Sequence, residues 1–149
     1  MAKTTARQLR DAVRHLVVAH GALEDEKRPC GTELSIPHAY ALLELLHHGG
    51  PMTVSELAAK LAIDRTNVSR LCARMEDAGD IVREAHPDDG RARALRLTAR
   101  GKKLSLRVDE SSARHFEQLA KRLGGSAVRI IEALESLSQA MALHEEDDK

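Results

Sequence analysis

Apolar side chains recur at intervals of three and four along residues 5–26, where Leu9, Val13, Leu16, Val17 and Leu23 form one stripe. That spacing predicts an amphipathic helix. The stretch Lys27-Arg28-Pro29-Cys30-Gly31-Thr32 breaks it. Ser35 is a suitable N-cap for a second helix, Ile36 to His47, which stops at Gly49-Gly50-Pro51. Thr53-Val54-Ser55-Glu56 matches a capping box: the Thr53 hydroxyl takes the amide three residues on, and Glu56 reaches back. The helix it opens buries Val54, Leu57, Ala58 and Leu61. Asp64 is the next N-cap, favoured also by the positive end of the helix dipole. Its helix puts Val68, Leu71, Cys72 and Met75 on one side and ends at Gly79, a suitable left-handed terminator.

The period then changes from helical to alternating. Ile81–Ala85 and Arg91–Leu97 flank Pro87-Asp88-Asp89-Gly90, and an Asp-Gly between two strand-like runs predicts a hairpin. Leu95 and Leu97 share the face directed at a core, whereas Arg91 and Arg93 lie near the tip. Thr98 caps a long helix to about Leu123, with a stripe of Leu104, Val108, Ser112, His115/Phe116, Leu119 and Leu123. Gly124-Gly125 breaks it, and Ser126 is the expected cap of a last helix carrying Val128, Ile131, Leu134, Leu137 and Met141. The predicted fold class is mainly α with a small β-hairpin. A winged helix-turn-helix module over residues 34–98 sits between an N-terminal helix and loop (1–33) and C-terminal helices (99–149).

Composition narrows the function. Tyr40 and Phe116 are the only aromatics in 149 residues, so the core is aliphatic. Stacking recognition of single strands, which needs aromatic platforms, is disfavoured. No apolar run approaches the roughly 18 residues of a membrane span, and no secretory signal is visible. Two cysteines, Cys30 and Cys72, suit a reducing cytoplasm.

The net charge is zero, but its distribution is uneven: residues 53–107 carry twelve basic and eight acidic side chains, and residues 108–149 five and nine. Residues 83–107 alone hold eight basic against three acidic. A positive concentration beside a helix-turn-helix is the footprint of a polyanion-binding element. The second helix of such a pair enters a major groove with its N-terminal side chains against base edges. Arg65 or Arg70 suits guanine and Asn67 suits adenine, each by two hydrogen bonds. Thr66 and Ser69 can reach phosphates or bases, Ser55 sits where a phosphate is held, and Arg91 and Arg93 suit a wing on the backbone or in a minor groove.

These residues resemble the MarR (multiple-antibiotic-resistance regulator) family of winged helix-turn-helix transcription regulators. The resemblance runs through Leu34-Ser35-Ile36-Pro37-His38, Met52–Ala58, Asp64–Leu71 and Gly79-Asp80-Ile81-Val82-Arg83. It continues through Pro87-Asp88-Asp89-Gly90-Arg91 to Leu95-Arg96-Leu97-Thr98-Ala99-Arg100-Gly101. It implies a homodimer built by the first and last two helices over a pseudo-palindromic operator, with Asp89 and Arg91 organising the wing. It also implies a repressor released by a small-molecule effector, in a pocket to which His38 and His115 would contribute. Gly90 and His38 depart from the family's usual basic residue and Gln. A dimer is expected on separate grounds as well, because three striped helices outside the module have too little partner surface in one short chain.

Other readings stay open. Glu24, Cys30, His38 and His115 would serve a metal- or redox-sensing regulator of the same fold, although no His pair at i,i+4 and no Cys-x-x-Cys is present. Cys72, on the apolar face of its helix, is expected to be structural. A helical dimerisation protein without DNA binding is the third reading. There is no nucleophile elbow and no Gly-rich phosphate loop, so no enzyme, cofactor or metal is expected.

Overall fold

The structure is a computed structural model that describes residues 2–23 and 34–147. Its elements are helix α1 (Ala2–His20), helix α2 (Ile36–His48), strand β1 (Met52–Thr53), helix α3 (Val54–Leu61) and helix α4 (Arg65–Asp77). Strands β2 (Ile81–Ala85) and β3 (Arg93–Leu97) follow, then helix α5 (Ala99–Leu123), a 3-10 turn (Gly124–Ser126) and helix α6 (Ala127–Asp147). Two compact units are formed, Met1–Ser112 and Ala113–Lys149. No helix among the described residues is long and apolar enough to cross a membrane.

The helix ends follow local chemistry. Ser35, Thr53 and Asp64 each accept the amide three residues on, as caps should. Four details differ from the sequence expectation. Helix α1 stops at His20, because Gly21 turns left-handed at φ 80°; Leu23 lies beyond it, 74% exposed. The hairpin is shorter than expected, and β3 begins at Arg93. Asp89 draws the chain into a turn there, its carboxylate accepting the Arg91 N–H at 3.0 Å and its carbonyl the Ala92 N–H at 3.0 Å.

A third strand joins the hairpin, giving the antiparallel order β1-β3-β2 with Met52 opposite Leu95 and Ile81 opposite Leu97. Because β3 is central, Ala94 is buried along with Leu95, and Leu97 is only half-buried. Ser126 does not open α6 as a free cap but ends the 3-10 turn that carries α5 into it, with Gly124 left-handed.

The core of the first unit gathers Leu42, Met52, Leu57, Val68, Cys72, Met75, Ile81 and Leu95, all 1% exposed or less, with Val108 of α5 against them. Each such aliphatic contributes about 1.5–3 kcal/mol on leaving water. Burial pushes the Cys72 thiol above its ordinary pKa, as an inert structural cysteine requires.

One buried joint ties the hairpin to the start of α5. Asp80, at the entry to β2, is 1% exposed. Its carboxylate meets His38 Nε2 at 3.0 Å and receives Arg100 Nε at 3.1 Å. Its carbonyl receives the Thr98 N–H at 3.0 Å, while the Thr98 hydroxyl donates to Gly79 at 2.6 Å and accepts the Gly101 N–H at 3.0 Å. Thr98 is thus the cap of α5, as expected. A buried carboxylate is tolerable only when so partnered. In the second unit, by contrast, no side chain described between Ala113 and Leu143 is buried.

Candidate nucleic-acid interface

Helices α3 and α4 are set by the chemistry of the turn between them. The Thr53 hydroxyl accepts the Glu56 N–H at 3.1 Å, and the Glu56 carboxylate accepts the Thr53 N–H at 2.7 Å, completing the capping box. Those bonds hold Glu56 below the usual carboxylate pKa. Helix α3 then ends on Ala62, which takes the left-handed conformation at φ 51° without being glycine. Ile63 and Ala62 donate back to Ala58 and Ala59 at 3.2 and 3.3 Å, a Schellman closure. The Asn67 backbone N–H bonds Asp64 at 3.0 Å and lowers its pKa. The Asn67 side-chain amide also donates to the Asp64 carboxylate.

With Val68, Leu71, Cys72 and Met75 buried, α4 turns Arg65, Thr66, Asn67 and Arg70 outward and leaves Ser69 half-buried. A cleft of about 340 Å³ lies between the first turn of α3, the first turns of α4 and the hairpin. Ser55, Arg65, Ser69, Arg91 and Arg93 line it, bringing together five of the eight expected DNA-contacting residues. A second groove of about 480 Å³ runs along α4 past Arg65, Thr66, Ser69 and Arg70. Asn67 lines neither; it faces a separate hollow with Pro37, Ile63 and Arg74. The Asp89 carboxylate meets Arg91 at its backbone N–H.

Sequence reasoning missed Arg83, which lines both the cleft and the groove. A lone arginine mid-strand reads as solvated surface, and only the packing of β2 against α4 brings it here. Chemically the surface is a hydroxyl- and guanidinium-lined channel with several donors free, suited to phosphates and to base-edge acceptors.

His38 is engaged with Asp80 in the first unit, while His115 belongs to the second and meets the Phe116 ring edge-on, with centroids 5.5 Å apart. Among the described residues no group of three or more His, Cys, Asp or Glu side chains is placed to hold a metal. Glu24 and Cys30 lie outside the described residues.

Residues 32–92 match the MarR family model. The chain is 34% identical over 98 residues to YxaD, an HTH-type transcriptional regulator of Bacillus subtilis, covering 66% of each chain. It spans 55% of the length of another curated relative, a transcriptional regulator 27% identical to it. Among solved structures, a MarR family protein from Bacillus stearothermophilus superposes with a TM-score of 0.69 at 21% identity, over 95% of this chain and 99% of that one. Bordetella bronchiseptica BpsR, whose DNA binding is regulated by 6-hydroxynicotinic acid, superposes with a TM-score of 0.65 at 21% identity, over 89% and 91%. At these identities the superpositions speak for the fold: a winged helix module with long helices on either side.

Proposed function

This chain belongs to the MarR family of transcriptional regulators, and from that premise we propose that it works as a homodimer bound to a pseudo-palindromic duplex operator. The observation that carries the reading is the convergence of Ser55, Arg65, Ser69, Arg91 and Arg93 on one cleft beside an outward-facing helix. Arg65, Thr66, Ser69 and Arg70 enter the major groove from α4, Ser55 holds a phosphate, and Arg91 and Arg93 lie against the adjacent backbone or minor groove. Asn67 reads an adenine with the amide oxygen and the N–H that its bond to Asp64 leaves unused. Asp89 keeps the wing in shape.

The dimer is assigned to residues 1–33 and 99–149, and the DNA-reading module to residues 34–98. Leu9, Leu16, Phe116, Leu123, Val128, Ile131, Leu134 and Met141 are each at least 41% exposed in one protomer, far more apolar surface than a small monomer leaves in water. A two-fold axis covers them and sets two α4 helices about one DNA turn apart. Repression by occupancy, with release by a small-molecule effector, is the regulation we assign to it, supported by BpsR, whose DNA binding is regulated by 6-hydroxynicotinic acid. His38 is the side chain through which an effector would reach the Asp80 joint, and His115 is a second candidate. The protein acts by binding, without a cofactor or a chemical step, in the cytoplasm.

The test is fluorescence anisotropy of duplexes chosen for tight binding. Arg70→Ala is expected to cost roughly 1–3 kcal/mol on a specific site and much less on scrambled duplex. An equal loss on every sequence would make Arg70 a phosphate contact, and no salt-sensitive duplex binding by the parent chain would refute the reading.

A further inference from the structure

Arg83 stands outside the residues assigned above, in the middle of β2. Its side chain is 27% exposed and points to α4 at two places. Nε lies 2.7 Å from a Glu76 carboxylate oxygen, without hydrogen-bond alignment to it, and Nη2 donates to the Ser69 carbonyl at 3.3 Å. Nη1 has no partner among the described residues. The same side chain borders the cleft beside Ser55 and Arg91 and the groove beside Thr66 and Arg70.

A guanidinium is a rigid fork with five donors, and the contacts to α4 occupy one side of it. Glu76 gives it a charge partner that fixes its position, while the open edge keeps donors for an incoming oxyanion. Around the same cleft the Arg65, Arg91 and Arg93 side chains add positive charge, and among the described residues none of these three guanidinium groups is paired with a carboxylate, so the cleft lining is positive despite Glu76. A mere staple between β2 and α4 would need no second cleft-facing edge.

The geometry points to Arg83 as a phosphate-binding cation at the floor of the cleft, taking one backbone phosphate of duplex DNA between α4 and the wing. This rests on the duplex-binding reading. It adds to that reading a contact that carries no sequence information, coupled through Glu76 and Ser69 to the helix that does.

The experiment is the salt dependence of binding to a mixed-sequence duplex by the full chain, its Arg83→Met variant and its Arg83→Lys variant, with thermal melting recorded alongside. Losing one phosphate contact lowers the slope of log K against log salt by about 0.9. The deficit of Arg83→Met should therefore shrink about 3.5-fold between roughly 50 and 200 mM salt for each protomer that engages the duplex. Arg83→Lys, which keeps the charge but not the fork, should retain the parent slope. A parent slope in Arg83→Met, whatever its melting temperature, would leave Arg83 a structural staple and overturn the assignment. If Arg83→Met does not fold, Arg83→Gln, which keeps a donor for the Ser69 carbonyl, is judged by the same criterion. Absence of any salt-sensitive binding by the parent chain would instead sink the duplex-binding reading itself, and this assignment with it.

Discussion

Replacing Gly101 with alanine sets two rules against each other. In an ordinary helix the change stabilises, by up to about 1 kcal/mol. Here the added Cβ would stand 1.8 Å from the Asp80 carbonyl oxygen, 2.7 Å from its carbon and 3.1 Å from its Cα. All three are backbone atoms, so no side chain can swing aside, and the first turn of α5 must retreat from the entry to β2. Hydrogen bonds cross that boundary from the Thr98 N–H to Asp80, from the Thr98 hydroxyl to the Gly79 and Asp80 carbonyls, and from Arg100 to the Asp80 carboxylate. Overpacking costs about 1–3 kcal/mol and each lost bond about 1 kcal/mol, so Gly101→Ala should destabilise by about 3–5 kcal/mol. Urea unfolding followed by circular dichroism would read this as a lowered midpoint at unchanged m. A variant within about 0.5 kcal/mol of the parent, or more stable, would refute the close approach of α5 to Asp80.

Other consequences follow from the same contacts. Ala62→Gly should stabilise by about 0.5–1 kcal/mol, since it relieves a left-handed non-glycine residue in an exposed turn; a melting temperature that does not rise would contradict the turn geometry. Thr53→Ala should cost about 1 kcal/mol by removing the cap of α3, and chemical denaturation measures it. Because the folded pKa of Glu56 is lowered, the stability it supplies is complete above its ordinary value near 4.5 and is lost as pH falls through the folded value. Glu56→Gln should therefore lose stability at neutral pH and show a shallower acid limb, and an identical limb would exclude Glu56 as a contributor. Ile131→Asp, at a position 54% exposed in one protomer, should turn a dimer into a monomer in analytical ultracentrifugation; a monomeric parent chain would remove the argument.

The parts of the fold that were legible in sequence are those decided within a few residues. Ser35, Thr53, Asp64 and Thr98 cap helices through bonds three residues long, and Gly79 terminates α4 by its own backbone freedom. What escaped was decided at a distance. Strand β1 is two residues long and exists because Met52 meets Leu95 across the chain, too short for any alternation to announce it. The end of α1 was hidden because Leu23 continues the apolar stripe past Gly21. At the candidate site, arginines on the outward face of α4 and near the wing tip were readable from periodicity. Arg83 was not, since its placement depends on β2 packing against α4. Nor could sequence show that Asn67, well suited to an adenine, bonds the carboxylate that caps its own helix. Gly101 was visible as part of Leu-Thr-x-x-Gly, but the steric reason for it lies in Asp80.

The central claim is that two copies of this chain read a duplex through α4 and the wing, and selection of bound duplexes from a random library at moderate salt tests it most directly. The account predicts enrichment of a pseudo-palindrome whose half-sites lie about one helical turn apart, with enrichment lost in Arg70→Ala. An unenriched library, or a single unpaired half-site, would contradict it.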